Sequence, residues 1–209
     1  MTLPPWVPGD EHEWKPAPEP LLLVQAFVNT LDLDLGTDLL AGAGAANGWL
    51  HLSGLLPADA TAGPGDLRAA REARESIRAL MARNGGGPQP AGEDLGALRA
   101  VARSSRPRLV IDEAGTVGLA PEPGGGLADG LIRLLVIIRD AQRDGTWQRL
   151  KICGNPECEW AFYDRSHSRR GAWCDMGSCG NLIKNRNLRA RRAGHAGQAR
   201  GTAETARPG

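Results

Sequence analysis

The chain has 209 residues, a formal net charge of +1 and 41% hydrophobic residues. This length suits one medium-sized domain or a domain with a small appended module, and the apolar content excludes a wholly disordered chain. The longest strongly apolar stretch, Leu131 to Ile138, is too short to span a membrane, and no basic start precedes an apolar run at the N-terminus. We therefore expect a cytoplasmic protein with no membrane partner.

Taken in chain order, the sequence predicts a mostly helical body. Residues 1–19 are rich in proline and charge, and we expect a flexible leader there. Apolar spacing then predicts helices over residues 21–30, 38–55, 64–84, 93–103 and 127–144. A turn at residues 112–116 predicts one β-hairpin with strands 108–111 and 117–120. Residues 193–209 are rich in glycine, alanine and arginine, which predicts a disordered tail.

The small net charge hides an uneven distribution. Residues 1–150 carry a net charge of −5 and residues 151–209 a net charge of +6. Nearly all the cations are arginine, whose planar guanidinium suits phosphate groups and guanine edges. A mildly acidic body joined to a basic end indicates a polyanionic partner, such as nucleic acid.

All four cysteines lie within 27 residues, as two pairs with four residues inside each pair and fifteen between the pairs: Cys153, Cys158, Cys174 and Cys179. Two short-spaced pairs separated by a longer loop are typical of a tetrahedral zinc site. Four thiolates fill the usual coordination of zinc and leave no position for a catalytic water, so we predict one structural Zn²⁺. An iron–sulfur cluster is the main alternative cofactor, and buried thiols or disulfides are the alternative without a metal. His167 is then expected to face solvent.

The residues around and after the cysteines are aromatic and basic. Trp160, Phe162 and Trp173 are expected to cover the metal, with base stacking by a tryptophan as the alternative. Past Cys174 the chain is expected to run as a helix to Arg192, and a merely solvated helix is the alternative interpretation. The cations predicted to contact nucleic acid are Arg169, Arg170, Lys184, Arg186, Arg189, Arg191 and Arg192.

These motifs resemble a known family. The matching segments are Cys153-Gly154-Asn155-Pro156-Glu157-Cys158, Trp160-x-Phe162-Tyr163-Asp164, Ser168-Arg169-Arg170, Trp173-Cys174-x-Met176 and Cys179-Gly180-Asn181. They resemble the CGNR zinc-finger family of bacterial proteins. The preceding region, with Phe27-Val28-Asn29-Thr30, the hairpin and the last long helix, resembles the ABATE-type domain of proposed stress-induced transcription regulators.

The resemblance implies zinc binding by the four cysteines and a role in DNA binding and transcription control. Leu182 stands where that family has its namesake arginine. An arginine there would share a helix face with Arg186 and Arg189, so its replacement weakens the case that this face reads bases or phosphates.

We therefore predict a mainly α protein with one small β-hairpin. Residues 20–145 would form a helical ABATE-like domain that folds alone, and residues 146–192 a zinc finger ending in a basic helix. We expect a transcription regulator on duplex DNA, with an N-terminal domain that forms a homodimer or senses a small-molecule effector. An enzyme is not expected, because residues 1–150 contain two histidines, no cysteine and no phosphate-binding loop. The alternative is a zinc-stabilised module that binds a protein or RNA without a role in transcription.

Overall fold

A computed structural model describes residues 3–8, 15–104, 107–121, 124–186, 188–189 and 191. Its helices are α1 (Leu21–Val28), α2 (Ala43–Leu52), α3 (Pro64–Asn84), α4 (Gly96–Ser104) and α5 (Leu127–Asp144). Its strands are β1 (Leu31–Asp32), β2 (Thr37–Asp38), β3 (Arg108–Ile111), β4 (Val117–Ala120), β5 (Leu150–Ile152) and β6 (Ala161–Tyr163). They form three antiparallel pairs, β1–β2, β3–β4 and β5–β6.

The mainly helical fold class is confirmed, and the predicted hairpin has the predicted strands. Two further small strand pairs, β1–β2 and β5–β6, accompany it. By its contacts the chain divides into a large unit, residues 1–174, and a small unit, residues 175–209.

Helix α1 lies at the centre of the large unit because its sequence is apolar on nearly every side. All eight of its residues are buried. A helix of this kind has to be enclosed by other elements, and α3, α5 and β6 all contact it. The polar Gln25 in its middle is completely buried as well.

Local signals explain the ends of the two longest helices, which match the predicted ends. At the start of α3, the carboxylate of Asp66 accepts a hydrogen bond of 2.9 Å from the N–H of Gly63. At the end of α5, Gly145 adopts a left-handed φ of 79°, as a C-terminal glycine commonly does. Within α5, a Cβ on Gly130 would collide with the carbonyl oxygen of Leu55, so this glycine permits close contact with that backbone.

Helix α2 begins later than the predicted residue 38 because Asp38 is engaged elsewhere. Asp38 ends β2, and its carboxylate accepts hydrogen bonds from Arg74 at 2.6 and 3.0 Å and from the N–H of Leu40 at 2.8 Å. Arg74 is only 3% exposed, so the ion pair is enclosed. The carboxylate thus holds residue 38 in the β1–β2 ribbon, and α2 starts at Ala43.

The hairpin β5–β6 shares an apolar core with the helices. Leu150, Ala161 and Tyr163 belong to the same buried cluster as the residues of α1, α3 and α5. Helix α3 contacts β5, and α1 contacts β6. The predicted boundary at residues 145–146 therefore falls between elements that share one apolar core, and the independent folding of residues 20–145 stays a prediction.

Part of the predicted flexible leader is held by specific contacts. The carbonyl oxygen of Lys15 accepts hydrogen bonds from the N–H of Tyr163 at 2.8 Å and from the side chain of Gln25 at 3.3 Å. Trp6 packs against the core, and its carbonyl oxygen accepts a hydrogen bond from the indole of Trp49 at 2.6 Å. Trp6 and Lys15 of the predicted leader thus have defined contacts, whereas the predicted tail, 193–209, lies outside the described residues.

Candidate metal centre

The first cysteine pair lies on the loop that joins β5 to β6. Cys153 follows β5 directly, and its N–H donates to the carbonyl oxygen of Trp160 at 2.9 Å, which extends the strand pairing by one step. The N–H of Cys158 donates to the carbonyl oxygen of Asn155 at 3.0 Å. A tight turn therefore returns the chain from one thiol to the other.

The second cysteine pair lies at a short π-helical turn, Met176–Gly180. The carboxylate of Asp175 accepts a hydrogen bond of 2.5 Å from the N–H of Ser178, and its carbonyl oxygen accepts one of 3.1 Å from the N–H of Gly180. The N–H groups at this turn, that of Ser178 first, lower the pKa of Asp175. Cys174 precedes the turn and Cys179 lies within it.

The four thiols form a cluster with the dimensions of a thiolate metal site. Their Sγ atoms all lie within 4.8 Å of one another, and those of Cys158 and Cys174 are 3.7 Å apart. Zinc–sulfur bonds of about 2.3 Å in a tetrahedron place neighbouring sulfurs about 3.8 Å apart. The four cysteines, Cys153, Cys158, Cys174 and Cys179, could therefore hold a metal ion together, and the donor set fits zinc.

The pKa values of the thiols show why a cation suits this cluster. Hydrogen bonds from Cys158 and then Cys174 lower the pKa of Cys153, although burial opposes this shift. The hydrogen bond to Cys153 is in turn the largest cause that raises the pKa of Cys158 and of Cys174. One thiolate therefore suppresses ionisation of its neighbours, and a bound divalent cation is the group that would let all of them ionise together.

Of the three aromatic residues predicted to cover the metal, two are buried and the third lies against the cysteine loop, while their cover of a metal stays a prediction. Trp160 is 5% exposed and Phe162 is 1% exposed, so neither ring is available to stack on a base. A Cβ on Gly154 would lie 3.1 Å from the ring of Trp173, so the absent side chain admits this ring. The ammonium group of Lys15 donates to the carbonyl oxygen of Trp173 at 2.8 Å and lies 5.1 Å from the centre of the Phe162 ring.

A buried ion pair fixes the loop that follows β6. Lys151 and Asp164 are joined at 2.8 Å, and each side chain is 4% exposed. Lys151 also donates to the carbonyl oxygen of Arg169 at 2.6 Å, and Asp164 accepts from the N–H of Gly171 at 2.7 Å. Burial opposes ionisation of Asp164, but the hydrogen bond from Lys151, followed by smaller ones, outweighs it and holds the pKa of Asp164 well below its usual range. Lys151 is therefore a structural cation, not part of the basic surface.

The helical body holds the metal-site hairpin through buried polar side chains. The amide of Asn29 donates to the carbonyl oxygen of Ala161 at 3.0 Å and accepts from its N–H at 2.8 Å. Gln25 donates to the same carbonyl oxygen at 3.1 Å. Arg78 donates to the carbonyl oxygens of Glu159 at 2.6 Å and Val28 at 3.0 Å. The ABATE-like helices and the cysteine hairpin are thus joined by direct hydrogen bonds.

Sequence reasoning missed these residues, although a signal was present. Gln25 lies within the otherwise apolar helix α1, and Asn29 is its C-cap. The two are four positions apart and therefore lie on one face of the helix. A polar stripe on an apolar helix requires buried partners. Arg78 carried no comparable signal, because an arginine on a charged helix normally faces solvent; here Glu75 holds its guanidinium at 3.0 Å.

The cations predicted to contact nucleic acid occur in both units. In the large unit, Arg169 and Arg170 are exposed, as is His167, which is not part of the thiol cluster. In the small unit residues 181–186 are helical, and the exposed predicted cations are Lys184, Arg186, Arg189 and Arg191. Leu182 is 49% exposed. Arg192 lies outside the described residues.

Comparison with known protein families agrees with this arrangement. The ABATE family, described as "Putative stress-induced transcription regulator", matches residues 22–143, and the CGNR zinc finger matches residues 149–192. The chain belongs to the ABATE family and carries a CGNR zinc finger after that domain. A search among curated proteins finds no match. Within the described residues, each helix is too short or too polar to cross a membrane.

Proposed function

We propose that this protein is a zinc-binding transcription regulator without enzymatic activity, which acts in the cytoplasm and binds duplex DNA through its C-terminal module. The family match supports a regulatory role. The single observation that carries the nucleic-acid proposal is the loop of residues 165–170, whose arginines are exposed while the loop itself is fixed.

The metal in this proposal is structural. Cys153, Cys158, Cys174 and Cys179 would hold one zinc ion, which would cross-link the two cysteine turns. Four thiolates complete the coordination of zinc, and a metal without an open position activates neither water nor substrate. This supports a binding function over catalysis.

The loop after β6 is suited to phosphate because its arginines are presented by a rigid frame. Arg165 donates to the carbonyl oxygen of Pro16 at 2.9 Å, and Arg169 adopts a left-handed φ of 52° next to the buried Lys151–Asp164 pair. A fixed backbone lowers the entropy lost when a partner is bound. Guanidinium groups form short, charge-assisted hydrogen bonds to phosphate oxygens. Arg169 and Arg170 are therefore the proposed backbone contacts of the large unit.

The small unit adds a second set of exposed cations. Between Asp175 and Arg192 the sequence contains no acidic residue, so the positive charge there is not neutralised locally. Leu182 is exposed and apolar where the resemblance leads us to expect arginine. Contacts made mainly by charge position a protein on the backbone without reading sequence, so we expect weak discrimination between DNA sequences.

A salt titration tests this function. The zinc-loaded full chain would be titrated with duplex DNA, and with duplex RNA of the same sequence, at increasing salt. If about five phosphates are neutralised, the logarithm of the affinity should fall against the logarithm of salt with a slope of about −4 to −5. Replacing both Arg169 and Arg170 by alanine should flatten the slope by about two.

A matched control separates local contacts from overall charge. Arg68→Ala combined with Arg143→Ala removes the same charge from exposed positions on α3 and α5, and should leave the slope unchanged. Failure to bind either duplex at low salt would refute the nucleic-acid function and favour a zinc-stabilised protein-docking module. A clear preference for RNA would retain the electrostatic argument and reject the role in transcription.

A further inference from the structure

The hairpin β3–β4 presents an apolar face to solvent. Leu109 is 73% exposed, Ile111 71% and Val117 63%. The register pairs Leu109 with Leu119 and Ile111 with Val117, so these four side chains lie on one face. Two strands with such a face are marginal by themselves, and additional strands normally stabilise them.

The outer edge of β3 carries peptide groups that point away from β4. The N–H of Asp112 donates to the carbonyl oxygen of Thr116 at 3.1 Å. Bonded and non-bonded pairs alternate along an antiparallel ladder, so the peptide groups of Leu109 and Ile111 point outward. In the described part of the chain this sheet has two strands, and β4 packs against α5. The outward groups of β3 thus form a strand edge open to a partner.

The charges along β3 are complementary to those of a second copy of the same strand. Arg108 begins the strand and Asp112 follows it, and both are exposed. If two copies run antiparallel about a two-fold axis at Val110, Arg108 of each lies beside Asp112 of the other. Leu109 of each copy then lies beside Ile111 of the other, and the outward peptide groups of these residues form hydrogen-bonded pairs. This register therefore satisfies the backbone, the apolar side chains and the charges together.

We propose that this protein forms a homodimer through β3, which joins two hairpins into one four-stranded antiparallel sheet. The interface is isologous, since each copy uses the same strand, so the assembly closes at two chains. The inference rests on the proposed function in one respect: it gives the regulator two nucleic-acid-binding modules. The dimer is measured without DNA, so its failure is distinguishable from failure to bind nucleic acid.

Sedimentation of the DNA-free, zinc-loaded full chain tests the dimer. The wild-type chain should sediment as a dimer, and Arg108→Glu should weaken dimerisation at least tenfold because each new carboxylate lies beside Asp112 of the second copy. Arg108→Lys should retain the dimer. Val117→Glu also adds a carboxylate to the hairpin, but on β4, and should weaken dimerisation less than Arg108→Glu.

A cross-link tests the register. At the two-fold axis, the Cα atoms of the two Val110 residues should be about 4.5 Å apart, as in a non-hydrogen-bonded pair, which a disulfide can span. Mild oxidation should therefore cross-link Val110→Cys, whereas Leu109→Cys and the wild-type chain should stay uncross-linked. A chain that remains monomeric at every concentration overturns the proposal. So does a dimer that is insensitive to Arg108→Glu and does not cross-link through residue 110.

Discussion

The hydrogen bonds between Asn29 and Ala161 join the helical body to the metal-site hairpin, and we expect them to stabilise the metal site. Asn29 is 1% exposed, and its amide satisfies both the N–H and the carbonyl oxygen of Ala161 on β6. Asn29→Ala removes both bonds. The carbonyl oxygen keeps the bond from Gln25, whereas the outward N–H of Ala161 loses the partner that Asn29 provides.

The expected cost follows from this difference. A typical hydrogen bond contributes about 1 kcal/mol net, and a buried donor left without a partner costs about 1–3 kcal/mol. Asn29→Ala should therefore lower the free energy of unfolding by about 2–4 kcal/mol, a large part of the roughly 5–15 kcal/mol of a typical domain. Denaturant titration followed by tryptophan fluorescence would measure the change.

The same substitution should speed metal release, because the hairpin can move away from α1 more easily. At about 1.4 kcal/mol for each factor of ten, release to a chromophoric chelator should become at least about tenfold faster. Asn47→Ala is a matched control. Asn47 donates to the carbonyl oxygens of Ala43 and Ala62 and accepts from the N–H of Ala62, and these three residues lie outside the metal-site hairpin.

The control variant should lose stability but release metal at the wild-type rate. If Asn29→Ala loses the expected stability and still releases metal as slowly as the wild type, then contacts with α1 do not stabilise the metal site. Such a result would refute the stabilisation of the metal site by the helical body.

Three other changes test the buried ion pair, the thiol ligands and the core that the hairpin shares with the helices. Asp164→Asn should lower the free energy of unfolding by about 3–5 kcal/mol at neutral pH, because it leaves Lys151 buried without its counter-charge. Folding lowers the pKa of Asp164. The stabilisation by this carboxylate is therefore complete above its unfolded pKa of about 3.9 and is lost as the pH falls towards the folded pKa. The difference in free energy of unfolding between the wild type and Asp164→Asn should thus become smaller only below about pH 4. A difference that already becomes smaller near pH 6 would contradict a lowered pKa for Asp164. Cys158→Ser should lose the bound metal and lower the thermal midpoint, as measured by elemental analysis and calorimetry; retention of a full equivalent of metal would argue against four-thiolate ligation. A chain that ends at Gly145 lacks Leu150 and its hairpin and should melt broadly, whereas a sharp, cooperative transition would support the self-sufficient helical domain that the sequence predicts.

Much of the fold could be predicted because its signals are local. A proline marks the start of α3, and a glycine follows the end of α5. The hairpin β3–β4 follows from a turn between two short strands. The cysteine cluster could be predicted because ligand spacing alone defines it. These features depend on residues that are close in sequence.

The missed features depend on contacts between distant residues. Arg74 and Asp38 are 36 positions apart, and their ion pair shortens α2 in a way that helix propensity does not indicate. Asn29 and Ala161 are 132 positions apart, and their bonds join α1 to β6 across the predicted domain boundary. Lys151 on β5 and Asp164, which follows β6, are 13 positions apart, and their ion pair forms only once the hairpin has brought them together.

Native mass spectrometry of the reduced full chain, purified without chelator, tests the central claim most directly. We expect the mass of the chain plus one zinc ion. Acid should release the zinc, because it protonates the thiolates, and the charge-state distribution of the folded chain should be lost at the same time. A chain that is folded and carries no metal, or one that carries iron and sulfide, would contradict it.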